Sequence, residues 1–119
     1  MGREAAVVTT WKNAVTGREK EAIDSFMDWM THMGKHAAEG HVTQPEAYLS
    51  YDGSGGMSVV RGSSDKLLEL WDSDEFRTLI ARVQLTVNDV TIQMYAAGDS
   101  VTDAMQRFAG VAGELGYMP

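Results

Sequence analysis

The chain lacks cysteine, has few basic residues and contains no long apolar run. Without cysteine it can form no disulfide, thiolate nucleophile, iron–sulfur cluster or cysteine-ligated zinc site. Seventeen acidic against ten basic residues give a net charge of −7, which argues against binding to nucleic acid or to an anionic membrane surface. No stretch approaches the roughly 20 apolar residues that span a bilayer.

The N-terminus lacks the apolar stretch of a secretory signal, and Ala6 stands where a myristoylation motif has Ser or Thr. We therefore expect a cytoplasmic protein. The 119 residues, 44% of them hydrophobic, fit a single domain, 1–119, with one core of modest size.

The first half of the chain predicts a strand, a helix and a hairpin. Residues 5–11 are β-branched and aromatic, which is typical of a strand. Helical periodicity follows Gly17 and ends near Gly40. The predicted apolar face of this helix comprises Ile23, Phe26, Met27, Met30, Gly34 and Ala37. Segments 46–51 and 57–61 resemble strands, and the glycine-rich residues 52–56 between them predict a β-hairpin turn.

The second half predicts a helical region, a strand and a last helix. The helical region contains Leu67 to Val83 and is capped again at 72–73, where Asp72 and Glu75 fit a capping box. Residues 85–97 predict a strand. Residues 99–100 then cap a C-terminal helix, which needs tertiary docking because Gly110 and Gly113 weaken it. Its apolar stripe is Val101, Met105, Phe108, Ala112 and Leu115.

The order β-α-β-β-α-β plus a helix predicts an α+β, ferredoxin-like fold, with an antiparallel four-stranded sheet and helices on one face. Neither sheet face is cleanly polar, since Val7 and Val8 point to opposite sides, as do Val59 and Val60. A second copy covering the bare face would make a homodimer. The alternative is a monomer whose C-terminal helix folds over that face.

In the order of its predicted elements the chain resembles the dimeric α/β barrel superfamily, and within it the antibiotic-biosynthesis-monooxygenase-like proteins. The resemblance spans residues 5–97 as an order of elements, and its most specific piece is residues 70–77, Leu-Trp-Asp-Ser-Asp-Glu-Phe-Arg. It implies two sheets packed face to face as a barrel, with a ligand cavity between sheet and helices in each subunit. It also implies a cofactor-independent monooxygenase of polycyclic aromatic substrates, with Trp71 and Asn13 as the catalytic residues. Alternatively, Trp71 simply packs in the core.

Cofactors and metals are not expected. In a haem-degrading branch of the superfamily a His on the second helix binds the iron, but Ile80 occupies the matching position. His32 and His36 are four residues apart and could share a metal ion. On the helical wheel, however, His32 lies opposite the apolar face and His36 at its edge. We therefore predict solvated histidines and no metal site.

Other catalytic motifs are missing. The glycine cluster at 53–56 is followed by no Lys-Ser/Thr pair and precedes a strand, so it is a turn rather than a phosphate loop. Arg61, Gln93 and Tyr95 are the remaining substrate-binding candidates. They could equally line a solvent-filled gap or pair with acidic side chains on the surface. Two functions remain open: an enzyme acting on an aromatic or polyketide-like metabolite, or a non-catalytic homodimer that binds a small apolar or aromatic ligand.

Overall fold

Residues 3–117 are described by the computed structural model and form four strands and four helices. In chain order these are β1 (Glu4–Trp11), α1 (Glu19–Ala38), β2 (Glu46–Leu49), β3 (Gly56–Ser63), α2 (Ser64–Trp71), α3 (Asp74–Thr86), β4 (Thr91–Ala96) and α4 (Asp99–Glu114). The strands form one sheet in the order β2-β3-β1-β4, and every neighbouring pair is antiparallel. The predicted α+β ferredoxin-like fold is confirmed.

The hydrophobic core lies between one sheet face and helices α1, α2 and α3. On the central strand Val7 is buried, and it pairs with Val60 of β3 and Met94 of β4. The helices contribute the largest fully buried apolar side chains, Met33, Leu67 and Phe76. Because side chains alternate along a strand, the neighbours of these core residues must point to the other face.

That other face, which we call the open face, carries the apolar and aromatic residues Ala6, Val8, Met57, Val59, Tyr48 and Tyr95 and the polar residues Thr10, Glu46, Arg61, Thr91 and Gln93. Val8, Met57 and Val59 are only half-buried. The rings of Tyr48 and Tyr95 are 53% and 49% exposed. A face with this much uncovered apolar and aromatic surface is typical of an interface.

Helix α4 does not supply the cover. Apart from the buried Ala112, its apolar stripe is exposed, with Met105 at 63% and Phe108 at 71%. The molecule is 55 Å long with a radius of gyration of 16.9 Å, whereas a compact domain of this length has about 13 to 14 Å. The alternative in which the C-terminal helix folds over the sheet is therefore wrong for this chain. No helix within residues 3–117 combines the length and apolar character needed to cross a membrane.

The buried face of α1 differs from the predicted one. Ile23 and Met27 are 64% and 58% exposed, while the buried residues are Ser25, Trp29, His32 and Met33. The sequence indicated that Trp29 and Met33 widen the apolar stripe on one flank, so that α1 would touch more than its own sheet, and the structure confirms this contact. The helix also packs along α3, as the 4.9 Å distance between the Trp29 and Phe76 ring centroids shows, and this second neighbour rotates the buried stripe.

Three boundary predictions are also corrected. Residues 85 and 86 belong to α3 rather than to a strand, because the Val87 N–H bonds to the Val83 carbonyl and continues the helical pattern. The N-cap of α3 is Ser73, whose hydroxyl accepts from the Phe76 N–H at 3.2 Å, so Asp72 forms no capping box. At α4 the N-cap is Gly98, and the Ser100 hydroxyl bonds instead to backbone groups of Ala97 and Glu4.

Candidate functional site

A cavity of about 560 Å³, which we call the α1 cavity, lies between α1 and the sheet where β1 ends. It is closed at one side by the end of α3 and at another by the loop of the β2–β3 hairpin. That loop approaches closely, since a Cβ on Gly55 would sit 2.2 Å from the Trp11 carbonyl oxygen. Its volume is within the range of sites that hold a small organic molecule.

The wall of the α1 cavity is mainly aromatic and aliphatic. Its apolar lining includes Trp11, Ile23, Phe26, Trp29, Leu49 and Val83. The rings of Trp11 and Phe26 meet edge to face with centroids 5.8 Å apart. Aromatic rings offer flat apolar surface at low entropic cost, so this lining suits a planar apolar ligand.

A few polar groups stand among these apolar side chains. Trp29 is only 4% exposed, and its indole Nε1 has no hydrogen-bond partner. A buried donor without a partner is unfavourable by about 1–3 kcal/mol. Ser25 and Thr86 are also buried in the lining, and the Thr86 hydroxyl donates to the Arg82 carbonyl at 2.8 Å.

Asn13 lies at the rim of the α1 cavity. Its side chain is exposed, while its backbone carbonyl accepts from the Asn88 N–H at 2.9 Å. The Lys12 N–H donates in turn to the Asn88 carbonyl, also at 2.9 Å. These two bonds fix the segment after β1 against the segment before β4, so the Asn13 amide is held where a ligand would enter.

Trp71 lies elsewhere. It ends α2, is half-buried, and packs edge to face on Phe76 with ring centroids 6.2 Å apart. It does not line the α1 cavity. The structure therefore does not bring Trp71 and Asn13 together at this cavity, and its contacts match the packing interpretation of Trp71 described above.

Arg61, Gln93 and Tyr95 lie on the open face, on the opposite side of the sheet from the α1 cavity. Arg61 and Tyr95 both pair with Ala6, one from each neighbouring strand. The Tyr95 hydroxyl donates to the Gln93 side-chain carbonyl. None of the three side chains lines the α1 cavity, and Tyr95 lines a smaller pocket between the sheet and α4.

The prediction of solvated histidines is wrong for His32. Its side chain is only 4% exposed, stacks on Phe76, and lies with Nδ1 3.0 Å from a carboxylate oxygen of Glu75. The oxygen is not aligned for a hydrogen bond, so both ring nitrogens lack a bonded partner. His32 is buried for the same reason as Trp29: both face α3. Burial and the nearby His32 and His41 lower the pKa of His36, so neutral His36 is favoured near pH 7.

The contribution of Trp29 to the cavity was not expected from the sequence. The sequence indicated only that Trp29 and Met33 widen the apolar stripe on one flank, so that α1 touches more than its own sheet. The available signal was Ser25, four residues earlier on the same side of the helix. A serine and a tryptophan on one buried flank are typical of a lining with both apolar and polar groups.

The sequence matches no known family model and no curated protein. Its fold, however, is shared by solved structures. It superposes with a TM-score of 0.61 on a candidate antibiotic biosynthesis monooxygenase from Caulobacter crescentus, at 21% identity over 82% of this chain and 92% of that one. The chain therefore shares the fold of this candidate monooxygenase, an α+β fold with a four-stranded antiparallel sheet.

Two further structures define this similarity. Rv0793 from Mycobacterium tuberculosis gives a TM-score of 0.63 at 21% identity, covering 80% of this chain and 95% of that one. SnoaB from Streptomyces nogalater, a cofactor-independent oxygenase, gives a TM-score of 0.63 at 7% identity, covering 81% of this chain and 94% of that one. About a fifth of this chain therefore has no counterpart in these structures, a length equal to α4 with the residues that follow it.

Proposed function

We propose that the chain is a homodimeric α/β barrel protein that binds an aromatic or other apolar small molecule in the α1 cavity. The observation that carries this proposal is the aromatic and aliphatic lining of the cavity. A flat ring system would contact Trp11 and Phe26, whose rings already meet edge to face.

The homodimer is supported by the open face. Tyr48 and Tyr95 are about half exposed there, and Val8 and Val59 are only partly covered. A two-fold axis would place two identical apolar faces against each other, as in a closed homodimer. In that arrangement Arg61, Gln93 and Tyr95 would face the space between the two sheets, which is where they could still bind a substrate.

A cofactor-independent oxygenase is the second candidate, favoured by the structural similarity to SnoaB and to the Caulobacter protein. Its substrate would be an anthrone-type CH₂ group, which takes one oxygen atom from O₂ to become a carbonyl while the other oxygen leaves as water. The substrate supplies the electrons, so no cofactor is required. Trp71 and Asn13 remain the proposed catalytic residues, and Asn13 is the one positioned to contact a molecule in the α1 cavity. The cytoplasmic location also remains a prediction.

Binding is tested with an anthrone as the probe and the variant Ala22→Phe. Ala22 lines the α1 cavity, so the added ring would occupy the ligand's space. We expect quenching of tryptophan fluorescence by the probe in the native chain, and at least tenfold weaker binding in the variant, which corresponds to about 1.4 kcal/mol. The matched control is Ala81→Phe, which adds the same ring to an exposed position of α3.

The same titrations, repeated with oxygen consumption as the readout, separate the two candidates. Binding without oxygen uptake supports a binding protein. Uptake that falls in Trp71→Phe and Asn13→Ala supports the oxygenase. Unchanged probe affinity in Ala22→Phe would contradict a site in the α1 cavity.

A further inference from the structure

The C-terminal end of α1 gathers three metal-binding side chains outside the α1 cavity: His36, Glu39 and His41. One ligand atom from each residue can be chosen so that all three lie within 4.8 Å of one another. They come from a six-residue segment whose backbone is fixed by the end of the helix. This cluster has no role in the function proposed above.

The backbone of this segment forms a Schellman motif. Gly40 has a φ of +80°, and its N–H donates to the Ala37 carbonyl at 3.0 Å. The His41 N–H donates to the His36 carbonyl at 3.1 Å. These are the two hydrogen bonds that define the motif, and they place the side chains of positions 36 and 41 side by side. In many Schellman motifs these two positions carry apolar side chains, whereas in this chain both carry an imidazole.

Two of the three distances between the donor atoms match those that a tetrahedral zinc ion imposes, and the third is within 4.8 Å. Zinc–nitrogen bonds of about 2.0–2.1 Å at tetrahedral angles put two ligand nitrogens about 3.4 Å apart. The Nδ1 atoms of His36 and His41 are 3.4 Å apart. A carboxylate oxygen of Glu39 lies 3.4 Å from the same His41 nitrogen. Two edges of a coordination tetrahedron are therefore already formed.

The surroundings of the cluster are also polar. The buried His32 packs edge to face on His36, with ring centroids 4.7 Å apart, and neither of its nitrogens has a hydrogen-bond partner. Glu75 approaches His32 from α3. Imidazole and carboxylate groups therefore lie beside the cluster, although Lys35 and Arg82 line the same pocket as His32 and Glu75.

We propose that His36, Glu39 and His41 bind one Zn²⁺ ion, through the two Nδ1 atoms and one carboxylate oxygen. Two imidazoles and a carboxylate are borderline ligands that suit zinc, and three protein ligands leave the fourth position to water or to another donor. The hydrogen bonds of the Schellman motif pre-position the ligands, so little further ordering is needed when the ion binds.

The test is isothermal titration of the untagged, chelator-treated full chain with ZnCl₂. We expect one ion per chain with a Kd of about a micromolar or tighter. Removing one ligand, in His36→Ala, His41→Ala or Glu39→Gln, should weaken binding at least tenfold, because even indirect partners of metal ligands account for about 10- to 100-fold. The control Glu69→Gln removes an exposed carboxylate on α2 and should leave the affinity unchanged.

Co²⁺ gives a second readout, since a tetrahedral site yields the strong visible absorption that an octahedral aquo ion lacks. Loss of that absorption in His41→Ala supports the site, and His41 is exposed enough for the variant to fold. No zinc binding, one ion per two chains, or equal affinity in the native chain and the ligand variants would overturn the proposal.

Discussion

At the scale of single residues, Asp52 in the β2–β3 loop illustrates how local hydrogen bonds stabilise one ionisation state. Its carboxylate accepts from the Ser50 hydroxyl at 2.5 Å and from the Ser54 N–H at 2.9 Å. Hydrogen bonds from both serines lower the pKa of Asp52 from its ordinary 3.8 to about 2. The loop borders the α1 cavity, so its conformation matters for ligand entry.

This shift predicts a pH dependence of the loop. Because the folded pKa is depressed, Asp52 stabilises the loop above about pH 4, and this contribution is lost as the pH falls through about 2. A carbon-detected NMR titration should place the Asp52 midpoint near 2, and Ser50→Ala should raise it toward 3.8. A midpoint near 4 in the native chain would show that the hydrogen bonds are absent in solution.

The sequence was least informative about which single side chains are buried. Helical periodicity correctly predicted that α1 is amphipathic, but it placed Ile23 and Met27 in the core and His32 in solvent. Periodicity describes one helix in isolation, whereas burial depends on every neighbour. Here α3 covers the flank that carries Trp29 and His32, and no pattern within α1 could indicate where α3 would lie.

At the scale of elements, α3 begins at a short turn after α2 that is fixed by one serine. The Ser73 hydroxyl accepts from the Phe76 N–H and donates to the Leu70 carbonyl at 2.7 Å, which joins the end of α2 to the start of α3. Phe76 is fully buried, so this cap also places a core side chain.

Ser73→Ala should therefore lower the free energy of unfolding by about 1 kcal/mol, the usual effect of removing an N-cap. Urea denaturation followed by circular dichroism measures the change. Asp72→Ala is the matched control at the position that the capping-box pattern favoured, and it should change stability by less than about 0.5 kcal/mol. The reverse order of the two effects would restore Asp72 as the cap.

The order of the elements was predictable from the sequence, because strand and helix periodicities differ and glycine marks the turns. The residue at which α3 ends was not predictable. Residues 85–90 contain apolar side chains at a spacing that suits either structure, and the helix continues to Thr86 because its hydroxyl and backbone bond to the preceding turn. The α1 cavity was expected only through the family resemblance, and its lining depends on how α1 and α3 pack.

At the scale of the whole molecule, two apolar surfaces remain uncovered: the open face of the sheet and the stripe along α4. The open face is the surface that the proposed homodimer would bury. The stripe on α4 contains Phe108 and Leu115, which are 71% and 60% exposed, on a helix whose main strand contacts are with β1 and β4. A second copy would explain the exposure of the open face.

The homodimer is tested by the mass of the native chain in solution at micromolar concentration, measured by light scattering after size exclusion. We expect twice the 13.0 kDa of one chain. We also expect Val59→Lys, on the open face, to give single chains, whereas Leu85→Lys, at an exposed position of α3, should leave the dimer intact. A native chain that stays at the mass of one copy would show that the open face does not form a homodimer.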